Sequence, residues 1–287
     1  VRAPSVTGPP SPSTASRLTD EQEQAATRRS EALLLSAGAG SGKTSVLVER
    51  FVRAVIEDEL APGKILAITF TERAAGELRE RVRARFLALG EREAARDTEA
   101  AFVGTFHGFC ARLLRAHPLL AGLDPEFAIL DDGLAGALRE RALSSALGAF
   151  LAAERTAALD LVAAYGVDQV NGMIAAIYAE LRSRGQRFPR LPATAADAQR
   201  DALDAQAAAA CELLDELLAR FGEAYEELKR ARGAVDFDDL ELLARELLER
   251  RASVREAWSG RFELLMVDEF QDTNPRQLGI LRALDRG

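Results

Sequence analysis

Lys43 closes the string Ala37-Gly38-Ala39-Gly40-Ser41-Gly42-Lys43-Thr44, in which glycines crowd ahead of one cation and one hydroxyl. Glycines allow a tight turn whose successive N–H groups converge on phosphate oxygens, and a helix opening there adds a favourable dipole. In such a loop Lys43 would neutralise β and γ phosphates, while the Thr44 hydroxyl would bind Mg²⁺. Lysine occurs only at Lys43, Lys64 and Lys229 in this arginine-rich chain, so its place behind the glycines stands out. Far downstream, Leu264-Leu265-Met266-Val267-Asp268-Glu269-Phe270-Gln271-Asp272 is an apolar run ending in acids. A strand of that kind delivers carboxylates to the C-terminal edge of a sheet, where α/β proteins bind ligands. Asp268 would hold Mg²⁺ through water, and Glu269 would orient and deprotonate the water that attacks a phosphoryl group.

Each segment has a plainer reading, as a glycine-rich turn without a ligand or as an acidic turn after a buried strand. Ala37 also stands where the usual pattern has glycine. Together the two are far more specific, because each supplies what the other lacks: phosphate cradle and metal clamp, cation and base. Catalytic triads and zinc sites compete poorly, since His107 and His117, the only histidines, have no fitting partners in the sequence.

For Lys43 to meet Asp268 and Glu269, the intervening chain must form a layered scaffold. Short apolar runs suited to strands covered on both faces lie at Ala32 to Leu35, Ile65 to Phe70, Ala101 to Thr105, Phe127 to Leu130 and Phe262 to Val267. Ala75, Leu78, Val82, Phe86 and Leu89 recur at helical spacing, flanked by Arg73, Arg79, Arg81, Arg83 and Arg85. From about Asp131 to Val235 the strand signals vanish and helical patterns take over, the longest carrying Leu213, Leu214, Leu217, Leu218, Phe221, Tyr225 and Leu228. The expectation is an α/β domain with a parallel sheet, interrupted by an all-helical insertion. Its first part is residues 18–130, the insertion 131–235, and its second part 236–287, behind a disordered Pro/Ser/Thr-rich leader at 1–17.

The bulk numbers narrow the field further. At 287 residues, 48% apolar and 29% charged, the chain can bury one large core or two modest ones. A net charge of −8 makes any nucleic-acid contact local rather than global. Cys110 and Cys211 are too few for a disulfide framework and lack metal-type spacing, which fits a reduced, cytoplasmic setting. No run approaches the roughly 18 apolar residues of a membrane span, so no membrane partner is expected.

Taken in order from Leu18 to the C-terminus, these blocks resemble the UvrD/Rep/PcrA-type superfamily 1 DNA helicases, with RecB and AddA as relatives. The resemblance implies a RecA-like P-loop domain, and AGAGSGKT, alanine included, is similar to the family's own loop. Leu18-Thr19-Asp20-Glu21-Gln22 looks like the family's Q motif, which implies that Gln22 reads adenine and that the nucleotide is ATP; a helix N-cap at Thr19 explains the same residues. In VDEFQDTN, Gln271 matches the position that links nucleotide state to the DNA site. Ala67-Ile68-Thr69-Phe70-Thr71-Glu72-Arg73 resembles a single-stranded DNA motif, with Phe70 offered for base stacking and Thr71 and Arg73 for phosphate. Gly104-Thr105-Phe106-His107 resembles a second such motif. Phe70, Phe106 and Phe109 are equally readable as core aromatics at strand ends.

Val235-Asp236-Phe237-Asp238-Asp239-Leu240 resembles the block where the helical insertion returns, its acids structural or capping rather than catalytic. Arg182, Arg184, Arg187 and Arg190 could touch duplex or displaced strand, but read better as a solvated loop. The resemblance implies single-stranded DNA and single-strand/double-strand junctions as partners, accessory recombination subunits, and 3′ to 5′ movement. It also implies that the chain stops before a second RecA-like domain that supplies arginine fingers, so that alone it would bind and hydrolyse ATP poorly. The alternatives are a nucleotide-dependent binding switch and the motor of a RecB/AddA-like helicase-nuclease.

Overall fold

The computed structural model describes residues 18–28, 32–36, 42–152, 156–192 and 202–286. The expected leader and Ala37, Gly38, Ala39, Gly40 and Ser41 of the glycine string lie outside them. The chain opens with α1 (Asp20–Thr27), α2 (Lys43–Ile56), β1 (Ile65–Thr69), α3 (Glu72–Leu89), α4 (Arg92–Asp97), β2 (Phe102–Thr105) and α5 (Phe106–Ala116). A short β3 (Ala128–Ile129) leads into α6 (Asp132–Ala152), α7 (Thr156–Tyr165), α8 (Val167–Ser183) and α9 (Ala202–Arg230). The chain returns through β4 (Ala234–Val235), α10 (Phe237–Arg250), α11 (Ala252–Ser259), β5 (Leu264–Val267) and α12 (Pro275–Leu284).

The central sheet has the order β2-β1-β5, all parallel. Alternate side chains along each strand point to opposite faces, and here both faces are covered. Ile65, Ala67, Val103 and Met266 join Phe51, Val52, Leu78, Val82 and Phe86 on the α2/α3 side. Leu66 and Ile68 join Phe109, Leu113, Leu247 and Ile280 on the α5/α10/α12 side. The apolar stripe of α3 is buried at Ala75, Leu78, Val82 and Phe86, while Leu89 falls outside it at 45% exposed. Gly90 ends that helix in the left-handed region at φ +85°, a conformation that costs glycine least.

Two expected strands turn out differently. Residues 32–36 carry no ladder bonds; only Leu33 and Leu35 are covered, against Ala25, Ala26 and Val46, and Leu34 is exposed. An apolar run covered on one face lacks the second layer that a central strand needs. Phe127 to Leu130 reduces to β3, which pairs in parallel with β4 and not with the central sheet. β4 had no signal of its own, because two residues are too few to show a period.

Helices α6 to α9 gather a core of their own, from Leu130 through Phe150, Tyr178 and Phe221 to Ala234. Val235, the next residue, packs with the sheet-side core. The β3/β4 pair therefore stands where the chain leaves one apolar cluster and returns to the other. No helix among the described residues is long and apolar enough to cross a membrane.

Candidate nucleotide site and adjoining aromatic face

Parallel register brings the carboxyl ends of the strands to one edge: Thr69 pairs with Thr105, and Ile68 with Val267. Phe70, Phe106 and Asp268 leave the sheet together there. The Asp268 N–H still donates to the Ile68 carbonyl at 2.8 Å, one step beyond the strand. Glu269 then takes φ +50°, a left-handed conformation that a residue with a Cβ adopts at a cost of roughly 1–3 kcal/mol. This turn ends the strand direction abruptly and sets the Glu269 carboxylate 3.5 Å from Lys43 Nζ, across 226 residues of sequence.

Lys43 is the first residue of α2, and Gly42 before it holds φ +84°. Besides that backbone demand, a Cβ at Gly42 would sit 2.9 Å from Gln22 Nε2. Gln22 thus packs directly against the end of the glycine string. Its N–H and Oε1 complete a capping box with Thr19, at 3.3 and 2.9 Å, so the cap reading of this segment holds and its amide nitrogen still faces the loop. Arg53 on α2 pairs with Glu23 at 2.6 Å and Arg50 donates to the Ala25 carbonyl at 2.9 Å, fixing α1 on α2.

The two acids differ electrostatically. Burial pushes the Asp268 carboxyl above its ordinary value, and the neighbouring Glu269 charge adds to this, against the Glu269 N–H and Lys43. The Gln271 amide, donating to Glu269 at 2.5 Å, and the Lys43 charge hold Glu269 below its ordinary value. Asp268 is therefore the carboxylate short of positive charge, while Glu269 is ionised and open to solvent, its side chain 44% exposed.

Beside this corner lies an aromatic face. Phe70 is 37% exposed and meets Phe106 edge-on, with ring centroids 6.2 Å apart. His107 is partly exposed and tilts over Phe237 at 4.9 Å, a contact the sequence reading missed because Phe237 belongs to a block 130 residues away in sequence. Arg73 is 90% exposed and pairs only with Glu77 on its own helix. Phe106 is itself buried, and the Thr105 hydroxyl caps α5 through the Gly108 N–H at 3.0 Å while donating to Glu72 at 2.8 Å. Thr71 caps α3 through the Ala74 N–H at 3.1 Å. Phe70, Arg73, His107 and Phe237 are presented outward; Thr105 and Phe106 hold them in place from below.

A sequence profile of the UvrD/REP helicase N-terminal domain matches residues 18–287. The chain belongs to the UvrD/REP helicase family. It is 34% identical over 269 residues to the ATP-dependent DNA helicase PcrA of Leuconostoc citreum, covering 93% of this chain and 31% of that protein. PcrA of Staphylococcus aureus is 29% identical over 271 residues, covering 92% and 31%. An ATP-dependent helicase/nuclease polypeptide of Syntrophomonas wolfei is 35% identical over 182 residues, covering 60% of this chain and 15% of that protein. The chain spans about a third or less of the length of these relatives.

Other expectations for this UvrD/REP chain are revised by the packing. The arginines around Gly185 form neither a solvated loop nor an open basic patch. Arg182 is fully buried against Asp239, Arg187 pairs with Glu246, Arg190 with Asp215 and Arg184 with Glu180. Each guanidinium is thus paired with an acid, three of them on other segments. The histidines also have partners after all: His107 Nε2 lies 3.3 Å from Glu241, and His117 Nε2 accepts from Trp258 Nε1 at 3.0 Å. Neither pair includes a nucleophile, since Cys110 is fully buried and burial pushes its thiol well up. Asp236 and Asp239 of the return block cap α10 in a reciprocal box, as their structural reading anticipates.

A divalent cation fits the open corner. Among the described residues no three His, Cys, Asp or Glu side chains gather to cage a metal alone. Mg²⁺ in such sites takes one or two protein oxygens and completes its shell with phosphate and water. The half-buried Asp268 carboxyl, whose burial favours its neutral form, is the group that a cation would relieve.

Proposed function

We propose that this chain provides the ATP-binding and strand-contacting part of a DNA helicase motor. Hydrolysis of ATP would drive 3′ to 5′ stepping along single-stranded DNA and opening of single-strand/double-strand junctions, in cytoplasmic repair or recombination. The observation that carries this reading is the approach of Lys43 to Glu269 at 3.5 Å. It brings the cation behind the glycine string and the acid behind the last strand to one point at the sheet edge.

The two side chains neutralise one another as they stand. An entering triphosphate supplies a stronger anionic partner for Lys43, which turns to it and leaves Glu269 with Gln271 as its remaining donor. Glu269, ionised and solvent-facing, then orients the attacking water and takes its proton. Asp268 and Thr44 would hold Mg²⁺, which neutralises charge on the triphosphate when bound. Gln22, packed against Gly42, is placed to read the base. Phe70 and the His107/Phe237 pair offer faces on which bases stack, and Arg73 offers a charge for phosphate. In this reading residues 18–130 and 236–287 form a RecA-like P-loop domain, and residues 131–235 an inserted helical domain.

The test is ATP turnover by the protein with and without single-stranded oligonucleotide. A motor raises its turnover as the strand is added and reaches saturation. Turnover indifferent to DNA would instead leave a nucleotide-dependent binding switch.

A further inference from the structure

Glu241 is 1% exposed, yet it carries a carboxylate into the space between α5, α10 and α12. Gln277 Nε2 and Asn274 Nδ2 donate to it at 2.6 and 3.1 Å, while Arg276 Nε and His107 Nε2 lie 3.0 and 3.3 Å away. Burial pushes its carboxyl up, but His107, Arg276, Gln277 and Asn274 outweigh this and hold it below the ordinary range. Burying a charge in this way is a poor route to stability, because apolar groups of the same volume serve a core about as well or better. The four partners are not scattered. Three begin α12, which the chain enters from Glu269 through the single turn Phe270–Asp272. The fourth is the imidazole that tilts over Phe237 on the aromatic face.

We propose that Glu241 is a positioning residue that couples the nucleotide corner to the DNA-facing aromatic surface. The inference rests on the motor reading above and names the side chain through which its two sites communicate. When Lys43 leaves Glu269, the turn at 269–272 loses its tether to α2, and its bonds Asp272 N–H to Glu269 and Thr273 N–H to Phe270 make it move as a unit. Asn274, next along, caps α12 and grips Glu241 with the same side chain. A shift at Asn274 therefore displaces the carboxylate that seats His107, and with it the ring facing the strand. Such a chain of buried polar contacts passes displacement because none of its members can relax into water.

Coupling of this kind is reciprocal and is measured as a ratio of affinities. The experiment is fluorescence anisotropy of a labelled oligo-thymidine strand. The protein is titrated in Mg-ADP and again in Mg²⁺ with a non-hydrolysable ATP analogue. The wild-type protein should show a ratio of the two dissociation constants of roughly fivefold or more. In Glu241→Gln the ratio should fall toward one, with either state's own affinity free to change. Asn274→Ser keeps an N-cap oxygen for α12 but loses the amide donor to Glu241, so it should lower the ratio in the same way even if Glu241→Gln folds poorly. A merely structural role weakens both affinities equally, and an unchanged ratio in both variants overturns the proposal. A wild-type protein with no nucleotide-dependent strand binding would sink the motor reading itself, which is a separate result.

Discussion

Two clusters in this chain are built from lysine and paired aspartate or glutamate, and they are arranged oppositely. At the sheet edge, Lys43 and Glu269 touch at 3.5 Å with side chains 27% and 44% exposed, and Asp268 beside them lacks a cation of its own. At the junction of α8, α9 and α10, Lys229 and Arg182 each reach Asp239 at 2.5 Å, with Asp236 at 3.7 and 3.6 Å, and all four side chains are under a tenth exposed. The Tyr225 hydroxyl donates to Asp236 at 2.9 Å, so the buried cluster is closed by hydrogen bonds as well as charge. Saturated and dry charges hold elements together. Charges left open and partly matched are available to a ligand. Residue type alone does not separate the two cases; satisfaction does.

The sharpest way to break this comparison is to mutate each cluster and read both activity and stability. Lys43→Ala should lower ATP turnover by about 10²–10³ by removing the fixed cation, with an unchanged melting temperature because the pair it leaves is solvent-open. Glu269→Gln should stall turnover by about 10²–10⁴ while nucleotide still binds, measured by steady-state hydrolysis beside calorimetric titration. Full turnover in Glu269→Gln would remove the assigned base. The buried cluster should respond in the other coordinate. Asp239→Ala strands Lys229 and Arg182 without a counter-charge, a change that costs about 3–5 kcal/mol in comparable buried pairs. Urea denaturation would show this as a lower midpoint at constant slope, and a midpoint within error of wild type would mean that water reaches the cluster.

The smallest effect is in pH dependence, where the signs diverge. Burial pushes Asp239 up, but the Lys229 and Arg182 charges outweigh it, so its folded value lies below its unfolded one. Its contribution is complete above about pH 4, the unfolded value, and is lost as pH falls through the lower folded value. Asp268 runs the other way. Its folded value lies above the unfolded one, so its ionised form opposes folding at neutral pH and acidification through the raised value relieves that opposition. Thermal melts between pH 3 and 7 should therefore show Asp268→Asn slightly more stable than wild type at neutral pH, with the difference closing on acidification. Asp239→Asn should be less stable at neutral pH, with a shallower acid limb. Parallel curves for the two variants would erase the contrast drawn above.

Much of the layout was legible in the linear pattern. The three strands of the central sheet read as continuous apolar runs because both of their faces are covered, and α3 and α9 read from helical spacing. What could not be read were features whose cause is non-local. The pairing of Ala128–Ile129 with Ala234–Val235 joins four residues across more than a hundred positions. The burial of Arg182 is invisible beside three arginines of the same type that remain partly exposed, since it follows from where α8 meets α10. Phe237 escaped notice for the same reason, and Phe106 was readable as a strand-contacting or a core aromatic until the sheet edge folded it under Phe70.

The sequence by itself determined which residues could do chemistry, because a glycine string ahead of a lysine and an apolar run ahead of paired acids are local patterns whose backbone consequences are local. It also set the alternation that builds a sheet with two covered faces. Only the tertiary structure decided which charges are spent and which are available. Burial, the number of donors around a carboxylate and the approach of Lys43 to Glu269 are properties of surfaces meeting, and residues distant in sequence supply them.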